Sequence, residues 1–205
     1  MVPTYTPELL AALGLFAFAA SITPGPNNSL LLASGANFGL RASLPLIAGV
    51  VIGYVGLIAL CGLGVAAVFD AFPPLREGLK WGGAAYMIYL AWKIATTKGI
   101  GSGARNARPL NFAAALAFQT INPKGWVIAL ATVSTYVPAR GFLANLLVAL
   151  AISAGVSVAA CFTWAAFGVG LQRVISRPHV LRAFNVGMAL LLLASLYPLL
   201  TEIGR

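Results

Sequence analysis

Acidic residues are scarce in this sequence: only four Asp and Glu occur in 205 residues, against 13 Lys and Arg. They lie near the ends of apolar segments or between them, at Glu8, Asp70, Glu77 and Glu202. The single histidine and two cysteines show no zinc or haem spacing, so the sequence predicts no metal site and no cofactor. It also predicts no enzyme, because catalysis needs a nucleophile, a metal cluster or paired acids.

Charge of either sign is rare, and long apolar runs take its place. Charged residues make up 8% of the chain and hydrophobic residues 60%, with a mean hydropathy of +0.92. Soluble domains carry about 25% charged residues, so this composition is typical of a helical membrane protein. The net charge of +9 lies in short connections, which indicates a lipid bilayer rather than nucleic acid as the partner.

Six helical segments are predicted, at about residues 7–37, 42–69, 75–97, 111–136, 142–171 and 180–200. The third is the least apolar, since the side chains of Lys80 and Lys93 must reach the membrane interfaces. The first ten residues hold no Lys or Arg, and Glu8 makes them acidic, so we expect a retained helix rather than a signal peptide.

Prolines interrupt two of these segments, at Thr23-Pro24-Gly25-Pro26-Asn27-Asn28 and at Gln119-Thr120-Ile121-Asn122-Pro123-Lys124-Gly125. Proline donates no backbone hydrogen bond and leaves a carbonyl free, which the membrane tolerates only where protein or a watery cavity satisfies it. Interrupted segments at corresponding places in two halves indicate a transporter's substrate site. The plainer alternative is a kink that neighbouring helices satisfy.

A glycine-rich linker at about 98–109 divides one transmembrane domain, 1–205, into repeats of three helices at about 7–97 and 110–203. An odd number of spans per half gives the halves opposite orientations. The predicted fold is therefore an all-α integral membrane protein of six transmembrane helices in two inverted repeats, with helices 1 and 4 broken. Eight Lys and Arg lie in the first, third and fifth connections and four on the opposite side, which predicts periplasmic termini.

We expect the two breaks to form one substrate site. Each new half-helix begins with unpaired N–H groups that favour an anion, while freed carbonyls and amide oxygens accept hydrogen bonds from a cation. Such a pair of subsites suits a zwitterion such as an amino acid. The predicted substrate-binding residues are Thr23, Pro24, Gly25, Pro26, Asn27, Asn28, Gln119, Asn122, Pro123, Lys124, Gly125 and Tyr54.

Further residues of the second and fifth predicted helices are candidates for cavity lining or helix packing. Cys161 and Trp164 are candidates for lining the cavity beside Tyr54. Small residues are predicted to serve helix packing, namely Gly49, Gly53, Ser153, Ser157 and Ala160.

Lys124 is the candidate for proton coupling, because the spans hold no deep carboxylate that could carry a proton. We hypothesise that it alternates between charged and neutral forms during transport. The alternatives are a structural counter-charge and a side chain that reaches the interface. The lack of acids also argues against a substrate with a second positive charge, such as lysine.

The sequence contains Thr23-Pro24-Gly25-Pro26-Asn27, Asn122-Pro123-Lys124, and Gly83-Ala84-Ala85-Tyr86 followed by Leu90-Ala91-Trp92-Lys93-Ile94-Ala95-Thr96. These motifs resemble the L-lysine exporter / homoserine-threonine resistance (LysE/RhtB) family, and look most similar to its cysteine/O-acetylserine exporters. The resemblance implies a bacterial inner-membrane exporter of amino acids driven by the proton motive force. Basic-amino-acid exporters of the family tend to carry an aspartate near the position of Gly53-Tyr54, and its absence favours a neutral substrate.

Residues and resemblance together predict a proton-coupled exporter of small neutral amino acids or derivatives, such as cysteine, O-acetylserine, homoserine or threonine. Two alternatives stay open within transport: an exporter of basic amino acids, and an ion channel or ion transporter. A structural membrane subunit is the alternative from another class. A homodimer also stays open as a partner.

Overall fold

The computed structural model describes residues 4–64, 73–96, 109–171 and 177–194, which form eight α-helices and no β-strand. In chain order these are α1 (Pro7–Ile22), α2 (Pro26–Phe38), α3 (Leu40–Gly62), α4 (Pro73–Ala95), α5 (Phe112–Ile121), α6 (Pro123–Tyr136), α7 (Phe142–Leu171) and α8 (Pro178–Ala194). The all-helical prediction is confirmed for these ranges.

Both predicted interruptions are present. The first separates α1 from α2, which are bent by 58° relative to each other. The second is a single residue, Asn122, between α5 and α6. Residues 98–108 of the glycine-rich linker predicted at about 98–109, and the predicted helix ends at 65–69, 97 and 195–200, lie outside the described residues.

Local capping explains where several helices begin. The hydroxyl of Thr6 accepts a hydrogen bond from the backbone of Leu9 at the start of α1, and the Asn111 side chain does the same for Ala114 in α5. Gly39 and Gly141 have φ angles of 84° and 70°, which favour glycine, and each lies between a broken helix and the long helix that follows.

Two helices, α3 and α7, are each long and apolar enough to cross a membrane, and the broken pair α1–α2 makes a third candidate if taken as one span. Apolar stretches in α4, α5 and α8 are shorter. The membrane class is therefore supported, while six spans in an inverted repeat stay a prediction.

The helices pack around α3 and α7, which contact each other and the broken helices. α7 packs against α1 and α2, while α3 packs against α5 and α6. Glycines allow close approach: a Cβ atom added at Gly168 would lie 2.2 Å from the Leu32 carbonyl oxygen, and one at Gly49 would lie 2.6 Å from the Phe112 carbonyl oxygen. The predicted packing role of Gly49 is confirmed, as small residues at helix interfaces lead us to expect.

A buried polar contact joins the two halves near the end of α2. Asn37 in α2 and Asn185 in α8 are both buried. Their side-chain amides exchange two hydrogen bonds, of 2.8 and 3.1 Å. Asn37 also donates to the Ala33 carbonyl. No pattern in the sequence pointed to this pair, because the two residues are 148 positions apart.

Candidate functional site

The first break follows from the two prolines that flank Gly25. Thr23 and Gly25 both have extended backbones, the conformation that a following proline imposes. Pro26 then occupies the first turn of α2, where its missing N–H costs nothing. The chain therefore leaves α1 at Thr23 and starts a new helix at Pro26.

The carbonyls freed at this break are satisfied by side chains. The Asn28 amide donates to the carbonyl oxygens of Ser21 at 3.0 Å and Thr23 at 2.8 Å. The Lys124 ammonium also donates to the Thr23 carbonyl, at 2.7 Å. One carbonyl of the first break thus binds the lysine of the second break.

The second break is organised in a similar way. Asn122 has an extended backbone before Pro123, which begins α6. The indole N–H of Trp126 donates to the Thr120 carbonyl oxygen at 2.8 Å. A Cβ atom added at Gly25 would lie 3.1 Å from Lys124 Nζ, so the two breaks meet.

A reciprocal amide pair connects the breaks. Asn27 donates to the Gln119 side-chain oxygen at 3.0 Å, and Gln119 donates to the Asn27 side-chain oxygen at 2.9 Å. Gln119 is fully buried and also donates to the Ala115 carbonyl. These amides, predicted to accept from a substrate cation, instead bind each other.

Replacing both members of this pair tests its contribution to stability. We expect Asn27→Ala and Gln119→Ala each to lower the free energy of unfolding, because the first leaves the fully buried Gln119 amide without its partner and the second leaves the half-buried Asn27 amide without its partner. In a double-mutant cycle measured by unfolding in detergent, the coupling should be about 0.5–3 kcal/mol. Strictly additive effects would contradict a direct interaction.

A cavity of about 50 Å³ lies between the breaks, enough for a few water molecules. Its wall combines both breaks with one face each of α3, α6 and α7. The lining residues are Ala20, Ser21, Gly25, Pro26, Asn27, Asn28, Val50, Tyr54, Asn122, Lys124, Gly125, Ile128, Ser157, Ala160 and Cys161. An amino acid is larger than a few waters, so its binding requires the cavity to widen.

The charge around this cavity is positive. Among the residues that the structure describes, Lys124 is the one charged residue in the wall, and no carboxylate lines it. The first turns of α2 and α6 begin at the cavity, and the N–H groups of a first turn have no partner within their helix. The wall therefore attracts an anion.

One amide oxygen in the wall is available for a cation. Asn122 is 1% exposed, and its Oδ1 has no hydrogen-bond partner in the structure. A buried acceptor without a partner is costly unless water or a ligand satisfies it. Anion-attracting and cation-accepting groups therefore lie in one wall.

Eight of the twelve predicted site residues line the cavity: Gly25, Pro26, Asn27, Asn28, Tyr54, Asn122, Lys124 and Gly125. Of the other four, Pro24 and Pro123 adjoin lining residues in the sequence. Thr23 and Gln119 are instead hydrogen-bonded to the lining residues Lys124 and Asn27, and Thr23 and Pro24 are exposed. Cys161 lines the cavity as expected, whereas Trp164 packs against a buried apolar cluster.

Sequence reasoning found only Cys161 in the part of the wall that α7 contributes. Ser157 and Ala160 were predicted to serve only helix packing, yet both line the cavity. A signal was present, because Ser153, Ser157 and Cys161 recur every four residues and so share one face of a helix.

Comparison with known proteins gives consistent results. The model of the family described as "LysE type translocator" matches residues 18–198. A protein of Escherichia coli O139:H28 named "Cysteine/O-acetylserine efflux protein" is 35% identical over 191 residues, covering 92% of this chain and 95% of that protein. Proteins of the same name from Escherichia coli K12 and Salmonella typhimurium LT2 are 35% and 34% identical, each covering 91% of this chain and 95% of the relative. No solved structure matches the chain.

Proposed function

Because the chain belongs to the LysE type translocator family, we propose that it exports small neutral amino acids or derivatives, of the cysteine and O-acetylserine kind, in exchange for protons. It is a membrane transporter of amino acids and not an enzyme. The observation that best supports the finer proposal is the meeting of both helix breaks at one cavity, with Lys124 hydrogen-bonded across them.

The substrate carboxylate binds where the first turns of α2 and α6 begin. Their unpaired N–H groups and positive dipole ends supply partners for an anion without a full charge. The Lys124 side chain packs directly against Gly25, where an added Cβ atom would lie 3.1 Å from Nζ, so a carboxylate at the start of α2 would lie beside the Lys124 ammonium. This arrangement fixes one end of a zwitterion.

The substrate ammonium binds Asn122 Oδ1. Of the side-chain oxygens predicted to accept from a cation, those of Asn27 and Gln119 already accept hydrogen bonds, while Asn122 Oδ1 accepts none. A charged donor forms a stronger hydrogen bond with such an acceptor than water does. The ammonium therefore replaces water at a buried group that has no protein partner.

The substrate side chain is neutral. No carboxylate lines the cavity, so a second positive charge, as on lysine or arginine, would lie beside Lys124 without compensation. This repulsion disfavours the basic-amino-acid alternative.

Proton exchange occurs at Lys124. A substrate ammonium at Asn122 lies close to Lys124, and two adjacent positive charges in a low-dielectric site repel each other. Substrate binding from the cytoplasm therefore releases the Lys124 proton, and loss of the substrate outside allows Lys124 to take up another. The order of these steps makes export depend on inward proton movement.

The proposed topology is six spans in two inverted repeats, with the termini in the periplasm of a bacterial inner membrane. Its support is the repeated order of a proline-broken helix, a glycine with positive φ, a long apolar helix and one further helix. A reporter enzyme that is active only outside the cytoplasm tests the orientation. Fused to the C-terminus, it should be active.

Transport by the purified protein in liposomes tests the function. Labelled cysteine, O-acetylserine, homoserine and threonine should show saturable flux that a pH gradient accelerates, while lysine and arginine should show little. Empty liposomes provide the baseline. Flux that never saturates would indicate a channel, and preferred lysine flux would indicate a basic-amino-acid exporter.

A further inference from the structure

Three hydroxyl side chains lie next to the cavity on the side of the α6–α7 connection. Tyr54 lines the cavity from α3. Thr132 is one helical turn beyond the lining residue Ile128 in α6, and Ser153 is one turn before the lining residue Ser157 in α7. Tyr54, Thr132 and Ser153 are called the hydroxyl cluster below.

The hydroxyl cluster is buried, but its hydrogen bonds are incomplete. Tyr54 is 6% exposed, Thr132 1% and Ser153 0%. The hydroxyls of Thr132 and Ser153 lie beside that of Tyr54, yet neither Tyr54 nor Ser153 completes a well-formed hydrogen bond. Only Thr132 does so, donating to the Ile128 carbonyl at 2.8 Å.

Among the described residues, three buried hydroxyls have no hydrogen-bond partner, those of Tyr5, Tyr54 and Ser153, and the last two lie side by side. The buried pair Ser34 and Ser43 is joined by a 2.8 Å hydrogen bond. Because a buried hydroxyl without a partner costs stability, two of them side by side at a cavity wall indicate a group that the protein itself does not supply.

We infer that the hydroxyl cluster is the specificity site for the substrate side chain, and that it selects short side chains with a hydrogen-bonding group near the end. This inference rests on the proposed function. With the carboxylate at the starts of α2 and α6 and the ammonium at Asn122, the side chain extends along Tyr54 toward Ser153. The surrounding residues are apolar, among them Leu57 and Ala149, so the hydroxyl cluster supplies the hydrogen-bonding groups of this subsite.

A subsite of this kind discriminates strongly against substrates that lack a hydrogen-bonding group. A site that hydrogen-bonds a substrate hydroxyl rejects the analogue that lacks it, because its own buried groups are then left unpaired. A purely apolar pocket separates such analogues only weakly. The subsite should therefore prefer threonine to valine, which has nearly the same shape.

Competition in liposomes tests the inference. Unlabelled threonine and valine are titrated against the flux of labelled cysteine, and the ratio of their half-inhibitory concentrations is measured. In the unmodified protein, threonine should inhibit at a concentration about tenfold or more below that of valine. In Tyr54→Phe and in Ser153→Ala, this ratio should move toward one, largely because valine inhibits better.

Each result decides between the inference and its alternatives. If cysteine flux is present but the ratio in both variants equals that of the unmodified protein, a bound water satisfies the hydroxyls and the inference is wrong. Folded variants that lose all flux would show a structural role and overturn it too. Absence of amino-acid flux in the unmodified protein would instead contradict the proposed function itself.

Discussion

Lys124→Met should abolish the acceleration of export by a pH gradient, while exchange of labelled for unlabelled substrate across liposomes continues. Methionine fills a similar volume but carries no proton, so substrate binding no longer releases one. Substrate affinity in this variant should also stop depending on pH, because binding no longer has to release the Lys124 proton. Gradient-driven flux and gradient-free exchange are measured in the same preparation.

Two further variants separate proton exchange from simple charge. Lys124→Arg keeps the positive charge permanently, because a guanidinium does not lose its proton in proteins. It should therefore also lose gradient dependence, although the charge stays. Lys93→Met makes the same chemical change in α4, outside the wall of the cavity, and should retain coupling. Full gradient dependence in Lys124→Met, or in Lys124→Arg, contradicts the proposed exchange at Lys124.

The helix breaks could be predicted from the sequence because proline acts locally. The missing N–H and the ring of Pro24, Pro26 and Pro123 end a helix wherever the rest of the protein lies. The structure accordingly begins the new helices at Pro26 and Pro123, inside the two predicted interruptions. We inferred that the two breaks meet because carbonyls freed inside a membrane need hydrogen-bond partners from protein or water.

The partners themselves could not be predicted, because they depend on tertiary structure. Asn27 and Gln119 are 92 residues apart, and nothing in either segment specifies that they pair. An amide carries donors and acceptors together, so it can satisfy the backbone as readily as it binds a substrate. Asn28 illustrates this, since it satisfies two carbonyls of the first break.

Ser157 and Ala160 were missed as part of the cavity wall for a different physical reason. Small residues in membrane helices serve close packing and cavity lining equally well, and composition does not separate the two roles. Ser157 lines the cavity, while Gly168 on the same helix packs against the α2 backbone. Only the position of the neighbouring helix decides which role a small residue takes.

Gly35→Ala should destabilise the protein strongly, because Gly35 lies at the closest contact between α2 and α7. A Cβ atom added there would lie 2.0 Å from the Ala165 carbonyl oxygen, which is backbone and cannot rotate away. The helices must separate, and overpacking of this kind costs about 1–3 kcal/mol or more. Because α2 carries Asn27 and Asn28, the shift should also displace the cavity wall and reduce amino-acid flux. Unfolding in detergent and flux in liposomes measure the two effects.

The same contact can be tested from its other side and against a matched control. Gly168→Ala on α7 should have a similar effect, since its added Cβ would lie 2.2 Å from the Leu32 carbonyl oxygen. Gly155→Ala, on the same helix, meets no atom within 4 Å and should be neutral or stabilising by up to about 1 kcal/mol, as alanine favours helix over glycine. Equal stability of all three variants would show that α2 and α7 do not pack this closely. In that case close packing of α2 on α7 would not be what positions the first break beside Lys124.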